Sequence, residues 1–126
     1  MNQKQIESMK KQNLIKLKKF KVKEPNFKPI SIKKFLTLKE GTQVDVMGVL
    51  DKVWLTERNK HTAFAIIDQN LECIALSLTQ NKKPRLLPKT VTVGMIWGVK
   101  GIKQGKDFII IREMFPLSNL DLFKGE

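Results

Sequence analysis

The chain has one cysteine, one histidine and no tyrosine. Each shortage excludes a class of chemistry. A single thiol, Cys73, can close no internal disulfide and can build no cysteine zinc cluster, which points to a reducing compartment. The one imidazole, His61, sits beside a turn and reads as a solvated loop residue. Cys73 therefore has no obvious activating base, and it reads as a small packed side chain on a strand. Asp45, Asp51, Asp68 and Asp107 are scattered without metal-ligand spacing, so neither a metal site nor a cofactor is expected. The segment Gly101-Ile102-Lys103-Gln104-Gly105-Lys106-Asp107 has three residues rather than four between its glycines, and Asp follows Lys; it reads as a hairpin loop, not a phosphate loop. No run of about 18 apolar residues is present, so no membrane span is expected. The lysine-rich start lacks the apolar centre of a secretory signal; its basic, amphipathic character leaves a mitochondrial presequence open, weakened by the absence of arginine before Arg58. Catalysis is hard to assemble from this inventory.

Positive charge is abundant and unevenly placed. Residues 1–39 hold twelve lysines against Glu7 and Glu24, a balance of +10. Residues 40–126 hold twelve Lys and Arg against ten Asp and Glu, a balance of +2. The total of +12 is thus a basic arm on a nearly neutral body. Ile6, Met9, Leu17 and Phe20 stand near helical spacing, with Asn13 interrupting the stripe. Pro25 and Pro29 then make an extended linker. The expected division is a basic arm and linker over residues 1–29 and a folded domain over 30–123. Without the arm about 95 residues remain, enough for a modest core.

Beyond a short helical turn capped by Ser31, the period becomes strand-like. Strands are expected over Gln43–Leu55, Thr62–Ile67, Leu71–Leu78, Val91–Lys100 and Phe108–Phe115. Gly48 lies inside the first strand, where glycine marks a bend or bulge. A long polar connection separates the third and fourth strands, and a short helix is expected over Ser118–Phe123. Five strands with the long gap after the third is the layout of a Greek-key OB-fold barrel, an all-β class.

The residues also carry a family resemblance. Gly41-Thr42-Gln43-Val44-Asp45-Val46-Met47-Gly48-Val49-Leu50 resembles the opening strand of OB folds. Val93-Gly94-Met95-Ile96-Trp97-Gly98-Val99-Lys100-Gly101 resembles the fourth, and Ile66-Ile67-Asp68-Gln69-Asn70 the hairpin turn between strands two and three. By size and layout the chain resembles the small single-OB subunits of eukaryotic single-strand-binding complexes, namely the smallest subunits of replication protein A and of the telomeric CST complex. That resemblance implies a nuclear, non-enzymatic accessory subunit, paired with another OB-fold protein and adding modest affinity for single-stranded DNA. An accessory subunit of a telomerase or DNA methyltransferase fits the same reading. An autonomous binder of single-stranded DNA or RNA is the alternative, and a translation-associated OB domain is a third class.

General OB readers of single strands offer aromatics on strands two and three between basic loops. Here alternation puts Phe64 and Ile66 inward on strand two, and Ile74, Leu76 and Leu78 inward on strand three. The outward face is then small: Ala63, Ala65, Cys73, Ala75 and Ser77. Trp97 reads as core, and Trp54, at the end of strand one, is the best candidate for base stacking. Expected phosphate contacts are Lys16, Lys18, Lys19, Lys21 and Lys23 in the arm; Arg58 and Lys60 in the first loop; Lys82, Lys83 and Arg85 in the third connection; and Lys100, Lys103 and Lys106 near the last turn. Leu117, Leu120, Leu122 and Phe123 are the expected partner-docking residues.

Overall fold

The computed structural model describes residues 2–22, 25–56, 61–77 and 93–117. Helix α1 spans Gln3–Leu17 and helix α2 spans Ile32–Phe35. The strands are β1 (Gln43–Leu55), β2 (Thr62–Asp68), β3 (Leu71–Ser77), β4 (Ile96–Gln104) and β5 (Phe108–Pro116). They close into a barrel in the order β1-β2-β3-β5-β4, with β3 and β5 parallel and the other pairs antiparallel. This is the OB-fold barrel.

Closing so small a barrel requires β1 to serve two neighbours. Its first half pairs with β4, and its second half pairs with β2 beyond a bulge at Asp51. Gly48 lies at the changeover. A Cβ there would come within 2.5 Å of Ile66 Cγ2 and 2.7 Å of the Ile67 carbonyl oxygen, so only glycine lets β1 approach β2 this closely. β4 begins at Ile96, five residues later than the sequence suggests, because Gly94 has φ +104° and turns the chain before the ladder starts. It then runs on through Gly101 to Gln104, leaving Gly105-Lys106-Asp107 as the turn.

The main core gathers Val44, Val46 and Leu50 of β1, Phe64 and Ile66 of β2, Trp97 and Val99 of β4, and Ile109 and Met114 of β5. β3 corrects the sequence reading. Its inward residues are Cys73 and Ala75, while Ile74 and Leu76 are only partly buried. The register gives the reason. Phe64 stands opposite Ala75 and Ile66 opposite Cys73, so the large side chains of β2 already fill that volume and β3 supplies small ones.

One end of the barrel is plugged by α2. Ser31 Oγ accepts from the Lys34 main-chain N–H at 3.1 Å, and Ile32 and Phe35 are fully buried. Each such burial contributes roughly 1.5–3 kcal/mol. The exposed carbonyl end of α2 is satisfied by Lys103, whose Nζ donates to the carbonyls of Phe35, Leu36 and Leu38 at 3.0, 3.1 and 2.7 Å. The linker crosses the outer surface of β1 and β4. Phe27 sits over Gly98 and meets Phe115 edge to face at 5.0 Å, while the Lys28 and Ile30 main-chain N–H groups donate to the side chain and carbonyl of Asp45.

The N-terminal helix also belongs to the packed body. Asn2 and Gln5 form a reciprocal capping box. Leu17 is buried with Val49 and Ile96, with Leu14, Phe20 and Leu117 packed around them. Asn13, which interrupts the apolar stripe in sequence, does not interrupt the seam: it is buried and donates from Nδ2 to the Gly94 carbonyl at 2.7 Å. Lys10 bridges Asp51 at 2.8 Å. Partial burial lowers the Lys10 pKa, but the bond and charge of Asp51, aided by Glu7, outweigh it and leave the ammonium above its ordinary value.

Candidate partner and nucleic-acid interface

Strand register defines the outer face on the β2–β3 side. Directly paired residues point the same way, so each row of partners is a rung across the sheet. One outward rung is Trp54, Ala63, Leu76, Ile110 and Ile102. The next is Lys52, Ala65, Ile74, Phe108 and Gln104. The two alanines of β2 are buried as a floor, with larger side chains on both sides. Trp54, Ile102 and Phe108 remain 40%, 39% and 38% exposed. Leu55, at the end of β1, is 66% exposed. Across β2 and β3 the outer surface of these rungs is aliphatic, with Trp54 and Lys52 bordering it on β1 and Phe108 on β5.

The outward set therefore differs from the sequence expectation. Ile74 and Leu76 replace Cys73, Ala75 and Ser77 there. Phe108, Ile102 and Lys52 were not foreseen. Alternation with the buried Ile109 is the signal that marks Phe108 as outward. Trp54 lies on β1 and Phe108 on β5, with β2 and β3 between them along the rungs.

The expected phosphate contacts are dispersed. Lys16, Lys18, Lys19 and Lys21 are exposed along α1 and the turn after it. Lys106 is exposed on the β4–β5 turn. Lys100 is half-buried, and its Nζ donates to the Asn26 carbonyl, tying down the linker. Lys103 corrects the expectation outright: it is buried, with its Nζ engaged by three carbonyls of α2 and its C-terminal turn, and it cannot meet a phosphate. Lys23, Arg58, Lys60, Lys82, Lys83, Arg85, Leu120, Leu122 and Phe123 lie outside the described residues. Leu117 donates its main-chain N–H to the Ile96 carbonyl and packs beside Leu17 and Val49.

His61 is half-buried, and its main chain closes the β1–β2 hairpin by exchanging hydrogen bonds with Thr56. Cys73 is enclosed, and burial, with Asp107 and Glu72 nearby, pushes its thiol pKa up to about 12. Such a thiol is protonated at neutral pH and a poor nucleophile. Among the described residues no cluster of His, Cys, Asp and Glu could hold a metal ion, and no helix is long and apolar enough to cross a membrane.

No family model and no curated protein sequence matches the chain. Solved structures do. The telomere capping protein Ten1 from Saccharomyces pombe superimposes with a TM-score of 0.56 at 13% identity, covering 79% of this chain and 90% of Ten1. A chain of the S. pombe Stn1–Ten1 complex does so with a TM-score of 0.54 at 13% identity, covering 83% and 91%. The hypothetical protein ygiW from E. coli follows at 0.53 and 12% identity, covering 78% and 99%. The three are nearly equal in likeness and differ in origin, so what the likeness carries is the barrel.

Proposed function

We propose that the chain is a non-enzymatic OB-fold subunit of a nuclear, telomere- or replication-type complex. It docks on a second OB-fold protein and contributes auxiliary phosphate contacts to single-stranded DNA. The observation that carries this reading is the outward face of the barrel. Six of the ten residues on its two rungs are aliphatic, and the exposed part of the β2–β3 pairing on them is Ile74 and Leu76, a surface chemistry that suits protein contact better than base stacking. The likeness to Ten1, and to a chain of a complex in which Ten1 is paired with Stn1, supports the same direction. An accessory role beside a telomerase or DNA methyltransferase remains within this proposal.

Leu117, Leu120, Leu122 and Phe123 are proposed as the docking segment. Lys16, Lys18, Lys19, Lys21 and Lys106 are proposed as phosphate contacts. The test is Leu120→Glu with Phe123→Glu: the expected result is an intact circular dichroism spectrum with loss of co-purification with an OB-fold partner. A full chain that has no stable partner, yet binds single strands tightly alone, overturns the subunit reading.

That outcome is the second reading, an autonomous single-strand binder. Its support is specific: Trp54 and Phe108 are both exposed, and Lys52 stands two residues from Trp54 on β1.

A further inference from the structure

Helix α1 has two faces of different kinds. The inner one, with Met9, Asn13 and Leu17, is committed to the barrel. On the outer one, Lys4, Lys11 and Lys18 recur every seven residues. Seven residues are almost two helical turns, so the three side chains fall on one line about 21 Å long. Lys18 keeps helical backbone angles at the C-cap, so the line does not break there. Ile15, 71% exposed, lies between Lys11 and Lys18.

Three observations indicate that this ridge faces something outside the protein. None of the three lysine side chains makes an ion pair or a hydrogen bond among the described residues, whereas that of the neighbouring Lys10 is taken by Asp51 and Glu7. The first turn holds Lys4 and no acidic residue, which opposes the helix dipole and so does nothing for the helix itself. The ridge is also preorganised, because α1 is fixed by the Asn13–Gly94 bond, the Lys10–Asp51 pair and the burial of Leu17.

We infer that the outward face of α1 is a contact site for the phosphate backbone of a nucleic-acid strand, with Lys4, Lys11 and Lys18 as its main cations. This rests on the nucleic-acid-handling part of the proposed function and extends it to a fixed helix surface that includes the first turn. A straight row of cations matches a linear polyanion. A bilayer is disfavoured, since membrane-surface helices need a free apolar face and that of α1 is spent on the barrel.

The test is a salt titration of the full chain with a labelled 20-nucleotide single strand, using Lys4→Gln/Lys11→Gln/Lys18→Gln. A control, Lys33→Gln/Lys34→Gln/Lys39→Gln, removes equal charge from α2 and its exit. Each single-strand phosphate contact adds about 0.7 to the slope of log affinity against log salt. The ridge variant should therefore lose about 2 from that slope, and the control well under 1. On the unaltered chain, the strand should protect Lys4, Lys11 and Lys18 from amine acetylation read by mass spectrometry. An unchanged slope, equal losses in ridge variant and control, absent protection, or preferential binding of phosphatidylserine vesicles overturns the inference. Partner co-purification, scored on the same variant, tests the subunit reading separately: loss of the ridge should leave the partner bound.

Discussion

Asn13 Nδ2 donates to the carbonyl oxygen of Gly94 at 2.7 Å, across 81 residues of sequence. The bond is buried and pins α1 to the entry of β4. Gly94 is suited to the seat by its φ of +104°, a backbone conformation that side-chain-bearing residues rarely adopt. Asn13→Ala removes the donor and strands a buried carbonyl, which costs about 1–3 kcal/mol. The expected outcome is a lower urea midpoint with an unchanged m value. An unchanged midpoint would mean that α1 does not contribute to global stability.

Lys103 is expected to act on stability and not on binding. Lys103→Met keeps the aliphatic stem and leaves the carbonyls of Phe35, Leu36 and Leu38 without their shared donor. A loss of about 2–4 kcal/mol is expected, since hydrogen bonds to charged groups are worth more than neutral ones. In a variant still folded at low temperature, the salt dependence of nucleic-acid binding should be that of the parent. A flatter salt dependence would return Lys103 to the phosphate contacts.

Much of the barrel was legible because β1, β2 and β5 carry strong strand patterns with turn residues between them. Gly48 was legible as a bend because glycine has no other reason to interrupt so apolar a strand. The face of β3 was not legible. Its own alternation favours Ile74 and Leu76 inside, and only the pairing of Phe64 with Ala75 reverses that choice. Lys103 and Asn13 were missed for a shared reason. Each is a polar residue buried by a backbone carbonyl distant in sequence, and no local pattern announces such an acceptor. Phe108 opens its strand, and such a residue can face either way until its neighbour Ile109 is known to be buried.

Cys73 predicts a defined pH dependence. An unfolded thiol ionises near pH 9, whereas burial, then the charges of Asp107 and Glu72, hold the folded one protonated until about 12. Above pH 9 the unfolded state binds fewer protons than the folded state, so stability falls as pH rises. The contribution is fully present below about pH 9 and is lost progressively towards 12, by up to about 1.4 kcal/mol per pH unit. Lysines titrate in the same window, so the measurement is the difference between parent and Cys73→Ala across pH 8–10.5 in urea. Parallel curves would show that the thiol is not held protonated. At pH 8 a thiol reagent should react only as fast as the chain opens.

The outer face decides between the two functional readings, and Trp54 and Phe108 are the residues to change. A base stacked on an aromatic side chain is worth about 1–3 kcal/mol, so losing one stack weakens single-strand binding at least about fivefold. If the face instead meets a protein, the isolated chain holds its strand through lysines, and removing an aromatic changes little. Trp54→Ala and Phe108→Ala are therefore expected each to leave the single-strand affinity of the isolated chain within about threefold of the parent. Both side chains are partly exposed, so neither truncation should unfold the barrel, which circular dichroism would check. Fluorescence anisotropy with the same labelled strand gives the answer. Losses of fivefold or more in both variants would establish base stacking on this face and favour the autonomous binder.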